Sequence, residues 1–361
     1  MIISIMNSEL TIMKINEAYE LLDKFIDMAK NAAVKRPYIV VILLHEYFRN
    51  IWPNDPFIEE TLSDDRLENI ILCLKKSITV LDDTIFLGSY FSHKDDVEKI
   101  FKNDDVNENE LTQTVYGNLW KKLNDDYVNN ESKNVLMNLF EKNNQSLSIL
   151  KGKNVLDMGC GSGRFTIALA QLGAKMVTGI DLGKTGIMIG RKVSESLNLK
   201  NIKFLEGNVT SLPFENNSFD FVFSKGVLHH TGDLEKGLDE YNRVLKKDGM
   251  GFLYLYGSGG LFWNSRIKMR EVMKLIPINY TINILNILGM PSKRYVFTDS
   301  WYVPIEEHVE RQRLENYLKS QNYSNIERVE HTGTIDINSM SNKPYSKELW
   351  GDGELRYFLT K

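Results

Sequence analysis

A glycine-rich turn between two regular segments constrains the fold of this chain more than any other feature. The stretch Val155–Arg164 reads VLDMGCGSGR, so an aliphatic run enters three glycines spaced two apart, and an amphipathic segment leaves them. Such a loop leaves backbone N–H groups accessible and lets a ligand approach the main chain. A second aliphatic run, Val177–Asp181, ends in an acidic residue. This combination predicts a nucleoside site, with the loop at one end and a carboxylate on the ribose hydroxyls.

The spacing of the glycines argues against a dinucleotide as the ligand. A dinucleotide-binding loop follows G-x-G-x-x-G/A, in which the third small residue lets the helix pack closely beneath a pyrophosphate. Here the third glycine comes one residue early, at Gly163, and the bulky Arg164 occupies the close-packing position. An NAD-dependent oxidoreductase is therefore the disfavoured alternative.

The pattern Asp-x-Gly-x-Gly-x-Gly at residues 157–163 resembles motif I of the class I S-adenosylmethionine-dependent methyltransferases. The resemblance continues in register from Lys153 to Leu255. Its further motifs follow in the family's order, at Ile202–Val209, Leu212–Phe214, Ser218–Ser224, Gly226–His230 and Arg243–Gly249.

The fold implied by this resemblance is α/β and Rossmann-like. A seven-stranded, mostly parallel sheet with strand order 3-2-1-4-5-7-6 and helices on both faces is expected, with the last strand antiparallel. The segments Asn325–Glu330 and Leu355–Thr360 are the predicted last two strands. An N-terminal helical domain and a helical insertion after the fifth strand complete the expectation. The spacing of apolar residues predicts amphipathic helices around Ile15 and Ile70, a helical insertion from Leu261 to about Leu288, and an amphipathic helix from Glu306 to Gln321.

The resemblance also implies S-adenosylmethionine as cofactor and S-adenosylhomocysteine as product. In this family the acidic residue after the second strand accepts the ribose hydroxyls, the next residue covers the adenine, and carbonyls after the fourth strand accept from the ammonium group. Asn208 departs from the family, where an aspartate usually accepts from the adenine amino group; its carbonyl can still accept. The predicted cofactor-binding residues are Asp157, Gly159, Gly161, Gly163, Asp181, Leu182, Asn208, Val209, Ser224 and Gly226.

Two residues are predicted to be catalytic. His230 matches a family position that is more often histidine, and Tyr256 ends the strand predicted at residues 251–256, where ligands of open α/β sheets gather. The competing interpretation of His229 and His230 is a helix cap or a packing role. Cys160 fits a small buried side chain better than a nucleophile.

The chain is longer than a methyltransferase domain of roughly 200–250 residues requires, so additional modules are expected. We predict a helical domain at residues 1–108 and a methyltransferase domain at residues 109–361, with a substrate-binding insertion at residues 257–304. The helical domain would pack, form a lid or make a homodimer. The predicted substrate contacts, for which core packing is the alternative, are Tyr116, Trp120, Asp299, Trp301, Tyr302 and His308.

Composition and charge argue against several classes of binding partner. The net charge is −4 and no Lys/Arg run exceeds a pair, which disfavours binding of nucleic acid by phosphate neutralisation. The apolar run Tyr38–Leu44 is too short to span a bilayer, so no membrane partner and a cytoplasmic location are expected. The two cysteines lie far apart in sequence, which favours a reducing compartment and no metal site.

The predicted function is in-line methyl transfer from S-adenosylmethionine to an oxygen, nitrogen or sulfur atom of a small molecule. A general base is required only where the acceptor loses a proton as it attacks. The alternatives left open are a methyltransferase acting on protein or RNA, and a module that binds S-adenosylmethionine without catalysis.

Overall fold

The structure is a computed structural model that describes residues 2–51, 66–88, 131–287, 294–329 and 346–361. These residues divide into two compact units, one built on a β-sheet and one purely helical. In chain order the helices are α1 (Ile2–Ala33), α2 (Pro37–Ile51), α3 (Arg66–Gly88), α4 (Ser132–Lys142), α5 (Arg164–Gln171), α6 (Lys184–Ser196), α7 (Leu234–Val244), α8 (Gly260–Met273), α9 (Ile278–Ile287), α10 (Arg294–Tyr302), α11 (Arg311–Ser320) and α12 (Ser346–Trp350).

The sheet has seven strands in the order 3-2-1-4-5-7-6, which confirms the predicted topology. The strands are β1 (Asn154–Met158), β2 (Met176–Asp181), β3 (Ile202–Glu206), β4 (Phe219–Lys225), β5 (Leu245–Tyr256), β6 (Asn325–Arg328) and β7 (Glu354–Thr360). Strands β1 to β5 pair in parallel, whereas β7 runs antiparallel to both β5 and β6.

Each face of the sheet carries its own apolar core. The strands at the centre are buried on both faces, as parallel strands covered by helices usually are. On one face Leu156, Val222 and Leu253 pack with the buried side chains of α7 and α11. On the other face the rings of Phe223 and Phe252 stack at 5.3 Å among the side chains of α4 and α5. Because β1, β2 and β4 run parallel, their carboxyl ends lie at the same edge of the sheet.

The helical unit contains α1 to α3, α8 to α10 and α12. The predicted amphipathic patterns around Ile15 and Ile70 form α1 and α3, whose apolar stripes are buried and pack against each other. A buried hydrogen bond of 2.7 Å joins the Tyr47 and Ser265 hydroxyls, so α8 packs with the N-terminal helices. Among the described helices, none combines the length and the apolarity that crossing a membrane requires.

Three elements have bounds in the structure that differ from the predicted ones. The insertion predicted as one helix over residues 261–288 is two helices, since Pro277 lacks the N–H that would continue the hydrogen-bond ladder. Residues 306–310, predicted as the first turn and a half of a helix ending at Gln321, are not helical; the N–H groups of Glu307 and Val309 donate instead to the carbonyls of His229 and Tyr256. The strand predicted to end at Glu330 ends at Arg328, and Glu330 lies outside the described residues.

A glycine near the start of α6 fixes how closely that helix approaches the loop after β1. A Cβ atom on Gly186 would lie 2.4 Å from the carbonyl oxygen of Gly161. The contact is with backbone, which has little freedom to move aside. The helix and the glycine loop are thus in direct main-chain contact.

We predict that Gly186→Ala destabilises the protein by about 1–3 kcal/mol through overpacking. Helix propensity alone would give the opposite sign, a gain of about 1 kcal/mol. Urea unfolding followed by circular dichroism measures the difference. Gly237→Ala in α7 is the matched control, because its nearest neighbour is a methyl group of Leu228 at 3.0 Å, which can shift. A variant more stable than the wild type would contradict the close approach.

Candidate functional site

The glycine loop after β1 takes the shape that its sequence predicts. Gly159, Gly161 and Gly163 have φ angles of +88°, +52° and +79°, a region that favours glycine. The N–H groups of Gly159 and Cys160 both donate to the carbonyl of Ile180, at 2.9 and 3.0 Å. The loop is therefore fixed against the end of β2.

Asp181, the last residue of β2, joins this loop to the turn before α6. Gly161 N–H donates to Oδ2 at 2.8 Å, and Gly183 N–H donates to Oδ1 at 2.7 Å. Burial raises the pKa of the carboxyl group, while the two N–H donors act to lower it. Each carboxylate oxygen keeps a further lone pair, so the group can also accept from ligand hydroxyls. Next to it, Leu182 presents an apolar side chain that is 41% exposed.

Asp157 lies beneath the loop and is only 2% exposed. Burial raises its pKa to about 7, against a donated hydrogen bond of 2.6 Å from the Thr166 hydroxyl. The charge of Asp181 raises this pKa further, and the guanidinium of Arg164 lowers it. A buried carboxyl group that titrates near neutrality beside a loop of this kind is typical of a functional site.

Asn208 follows β3, and its side chain is fixed by its own turn. The Thr210 N–H and hydroxyl both donate to Asn208 Oδ1, each at 2.9 Å. Because a backbone N–H can only donate, Oδ1 is the atom that faces it, and the carbonyl has little capacity for a third donor. Contact with an adenine amino group through this carbonyl stays a prediction, and Thr210 is its competitor. The following residue, Val209, is buried.

The carboxyl end of β4 supplies the next predicted contacts. Ser224 is fully buried, and within the part of the chain that the structure describes its hydroxyl has no hydrogen-bond partner. Gly226 has a φ of +74°, and its N–H donates to the Tyr254 carbonyl at 3.1 Å. Both residues lie at the same edge of the sheet as Asp157 and Asp181, because all these strands are parallel.

The two predicted catalytic residues lie together at this edge. The ring centroids of His230 and Tyr256 are 5.6 Å apart, and the His229 ring lies 4.0 Å from that of Tyr256. His230 Nδ1 is 2.7 Å from the Ile305 carbonyl oxygen. Since a carbonyl only accepts, Nδ1 carries the proton in the neutral ring, and Nε2 is the basic nitrogen.

The predicted substrate contacts separate into three groups. His308 lies in the sheet unit, where Nδ1 donates to the Gly257 carbonyl at 3.0 Å and Nε2 is 3.0 Å from Glu306 Oε1. Tyr116 and Trp120 lie outside the described residues. The remaining three, Asp299, Trp301 and Tyr302, belong to α10 in the helical unit.

The contacts of these α10 residues are those of a helical core. The Trp301 ring lies 5.0 Å from that of Phe297 and is 1% exposed. The Tyr302 hydroxyl donates to the Ile276 carbonyl at 2.9 Å, and Asp299 lies 3.9 Å from the Arg266 guanidinium. Substrate binding by these residues stays a prediction, and packing accounts for the contacts that they make.

Sequence reasoning did not single out Ile305 or Glu306. Ile305 contacts His230, which lies far away in the sequence. Glu306 contacts His308, which is near in the sequence, but a glutamate at this position is unremarkable. The one available signal was Pro304, which disfavours helix in the residue before it. Among the described residues, no group of three or more His, Cys, Asp and Glu side chains is arranged to hold a metal ion.

Part of the chain is similar to a known family. Residues 149–258 match the family model described as a methyltransferase domain. The matched segment runs from the turn before β1 to the residues after β5, and so includes the glycine loop, Asp181 and the end of β4.

Curated relatives match a segment of 108 residues. The demethylmenaquinone methyltransferase of Staphylococcus aureus strain MRSA252 is 38% identical over 108 residues, which are 29% of this chain and 44% of the relative. The chain thus spans less than half the length of the curated relatives that it matches.

Solved structures resemble the chain more distantly. A provisionally named S-adenosylmethionine-dependent methyltransferase from Methanococcus maripaludis is 16% identical, with a TM-score of 0.43 over 72% of this chain and 97% of that one. An S-adenosylmethionine-dependent methyltransferase from Mesorhizobium loti is 17% identical, with a TM-score of 0.39 over 59% of this chain and 92% of that one.

The raised pKa of Asp157 predicts a specific pH dependence of stability. The carboxyl group ionises near 3.8 when exposed but at about 7 in the fold, so the protonated form is favoured by folding. This contribution is complete below pH 3.8 and is lost as the pH rises through 7. Relative to Asp157→Asn, the wild type should therefore lose about 1.4 kcal/mol of unfolding free energy per pH unit between pH 4 and 7.

Urea unfolding of both proteins at several pH values measures this difference. The asparagine variant cannot ionise, yet it can still accept the hydrogen bond from Thr166, so it isolates the titration. A stability difference that stays constant from pH 4 to 7 would show that Asp157 is ionised in the fold throughout this range.

Proposed function

We propose that this protein transfers a methyl group from S-adenosylmethionine to a nucleophilic atom of a small molecule. The observation that carries the proposal is the Asp181 carboxylate, held by the N–H groups of Gly161 and Gly183 at the edge where β1 and β2 end. A carboxylate in that position suits two ribose hydroxyls, and the glycine loop beside it admits the rest of a nucleoside.

The residues around this carboxylate fit the cofactor. Leu182 offers an exposed apolar side chain for the adenine face. Asp157, whose pKa is near neutrality, favours a cationic neighbour such as the ammonium group. The buried Ser224 hydroxyl and the open backbone at Gly226 lie at the adjoining strand end. These positions would hold the cofactor along the carboxyl ends of β1, β2 and β4.

The chain itself would contribute alignment and, for some acceptors, a base. When bound, S-adenosylmethionine supplies a methyl group on a good leaving group. Holding an acceptor in line with that methyl group can lower the barrier by about 7–11 kcal/mol. Where the acceptor is a hydroxyl, His230 Nε2 is the atom that takes its proton, and Tyr256 lies beside this ring.

A small-molecule acceptor is the favoured class. The relative from Staphylococcus aureus is named for a small-molecule substrate, and the net charge of −4 disfavours RNA. A protein acceptor and a non-catalytic module that binds the cofactor are the alternatives. A cytoplasmic location and a homodimer formed through the N-terminal helices stay predictions.

Asp181→Asn should weaken binding of S-adenosylhomocysteine by roughly 10²–10⁴-fold. Hydrogen bonds to a charged group are worth about 1.5–3 kcal/mol each, and two ribose hydroxyls would lose them. Isothermal titration calorimetry measures the affinity. Glu206→Gln is the matched control at the end of the neighbouring strand, where the side chain is 52% exposed; its affinity should be unchanged. Equal affinity in both variants would remove Asp181 from the site.

His230→Asn should lower kcat with a hydroxyl acceptor by roughly 10²–10⁴-fold, the usual contribution of a general base. The asparagine amide takes the place of Nδ1 and can still donate to the Ile305 carbonyl, so the turn is kept while the basic nitrogen is lost. Binding of S-adenosylhomocysteine should not change. Full turnover in this variant would show that His230 is not the base.

Release of S-adenosylhomocysteine across a panel of small phenols, amines and thiols tests the activity itself. The expected result is turnover with at least one member of the panel and none with peptide or RNA pools. Binding of S-adenosylhomocysteine without turnover on any class would favour the non-catalytic module. Binding of NADH instead would favour an oxidoreductase.

A further inference from the structure

Residues 305–309, which we call the strap, run across the carboxyl edge of the sheet beside the two predicted catalytic residues. Every residue of the strap makes a hydrogen bond to that edge or within the strap. The Ile305 carbonyl accepts from His230, Glu307 N–H donates to the His229 carbonyl at 2.8 Å, and Val309 N–H donates to the Tyr256 carbonyl at 3.1 Å. A bridge between Gly257 and Val309 continues the pairing beyond β5.

At the centre of the strap, Glu306 and His308 form a buried pair. Their side chains are 1% and 8% exposed, and Glu306 Oε1 lies 3.0 Å from His308 Nε2. His308 Nδ1 donates to the Gly257 carbonyl at 3.0 Å. Because that carbonyl only accepts, Nδ1 is protonated, and a single further proton lies between Nε2 and the carboxylate. Both ring nitrogens of His308 are thus committed to holding the strap.

The strap matters because of what it does to His230. The Ile305 carbonyl oxygen of the strap lies 2.7 Å from Nδ1 of that ring. A hydrogen bond at one ring nitrogen decides which tautomer a neutral histidine adopts. If the strap shifted, Nδ1 would lose the carbonyl to which it donates, and the proton could move to Nε2. Nε2 would then no longer be the basic nitrogen of the ring.

We propose that Glu306 and His308 are positioning residues, which anchor the strap so that the Ile305 carbonyl keeps His230 in its Nδ1–H tautomer. The catalytic meaning of this tautomer rests on the proposed function, but the tautomer itself does not. Neither residue needs to contact the acceptor. Their task would be to hold the backbone whose carbonyl keeps Nε2 unprotonated.

The test is the ring ¹⁵N chemical shifts of His230 in protein labelled at its histidines, measured without ligand. These shifts distinguish a protonated from an unprotonated ring nitrogen. The chain has six histidines, and His230→Asn identifies the signals of interest. A pH of about 8.5 lies two units above the ordinary histidine pKa, so the ring is neutral. In the wild type, Nδ1 should be protonated and Nε2 unprotonated.

In His308→Ala, the ratio of the Nε2–H to the Nδ1–H tautomer of His230 should rise about two- to tenfold, as expected for the loss of one hydrogen bond. Glu306→Gln should keep the wild-type ratio, because the glutamine amide can still bond to His308 Nε2. Arg313→Ala is the matched control. It removes ion pairs with Glu307 and Glu235 at a side chain that is 50% exposed, and it should leave the ratio unchanged.

Wild-type shifts in a folded His308→Ala variant would overturn the proposal, as would an equal change in the Arg313→Ala control. If His308→Ala does not fold, His308→Asn answers the same question, since it keeps a donor to the Gly257 carbonyl but cannot reach Glu306. Titration of the wild type with S-adenosylhomocysteine separates the two hypotheses. Binding by the wild type together with an altered tautomer in His308→Ala supports both, whereas an altered tautomer in His308→Ala together with no binding by the wild type refutes the proposed function alone.

Discussion

The carboxylate of Asp181 is the interaction on which the rest of the site depends. It accepts from the loop after β1 and from the turn before α6, so one side chain fixes three segments of the chain. The arrangement follows from topology, because β1 and β2 are adjacent and parallel and their carboxyl ends meet at one edge. The loop and α6 can approach Asp181 because the loop glycines adopt positive φ angles and because Gly186 has no Cβ atom to clash with the Gly161 carbonyl.

The same closeness buries two carboxyl groups, which disfavours their ionised forms, and a ligand can offset this cost. Burial raises the pKa of both Asp157 and Asp181, and the charge of Asp181 raises that of Asp157 further. A cationic group bound beside Asp157 would favour its ionised form and would release a proton as it binds. The electrostatics of this edge therefore favour a ligand that brings positive charge and hydroxyl groups, as the proposed cofactor S-adenosylmethionine does.

The sheet, the glycine loop and Asp181 could be predicted from the sequence because their determinants are local. A glycine that needs a positive φ, an acid that ends a strand and the order of the motifs are all visible within short windows. The strap could not be predicted in this way. Its residues fit the polar and apolar pattern of a helix, yet they bond to residues about 50 to 80 positions earlier, and those long-range bonds prevail over the local pattern.

The residues predicted to contact an acceptor are of types that serve several purposes. Trp301 and Tyr302 could line a pocket as readily as a core, and contacts such as those with Phe297 and the Ile276 carbonyl are those of a core. The match to the methyltransferase family ends at residue 258, before α8 to α10 and before the strap. The segments after β5 therefore lie outside the part that matches a known family, and their role in selecting an acceptor stays a prediction. In these segments packing and long-range hydrogen bonds, rather than motifs, determine the structure.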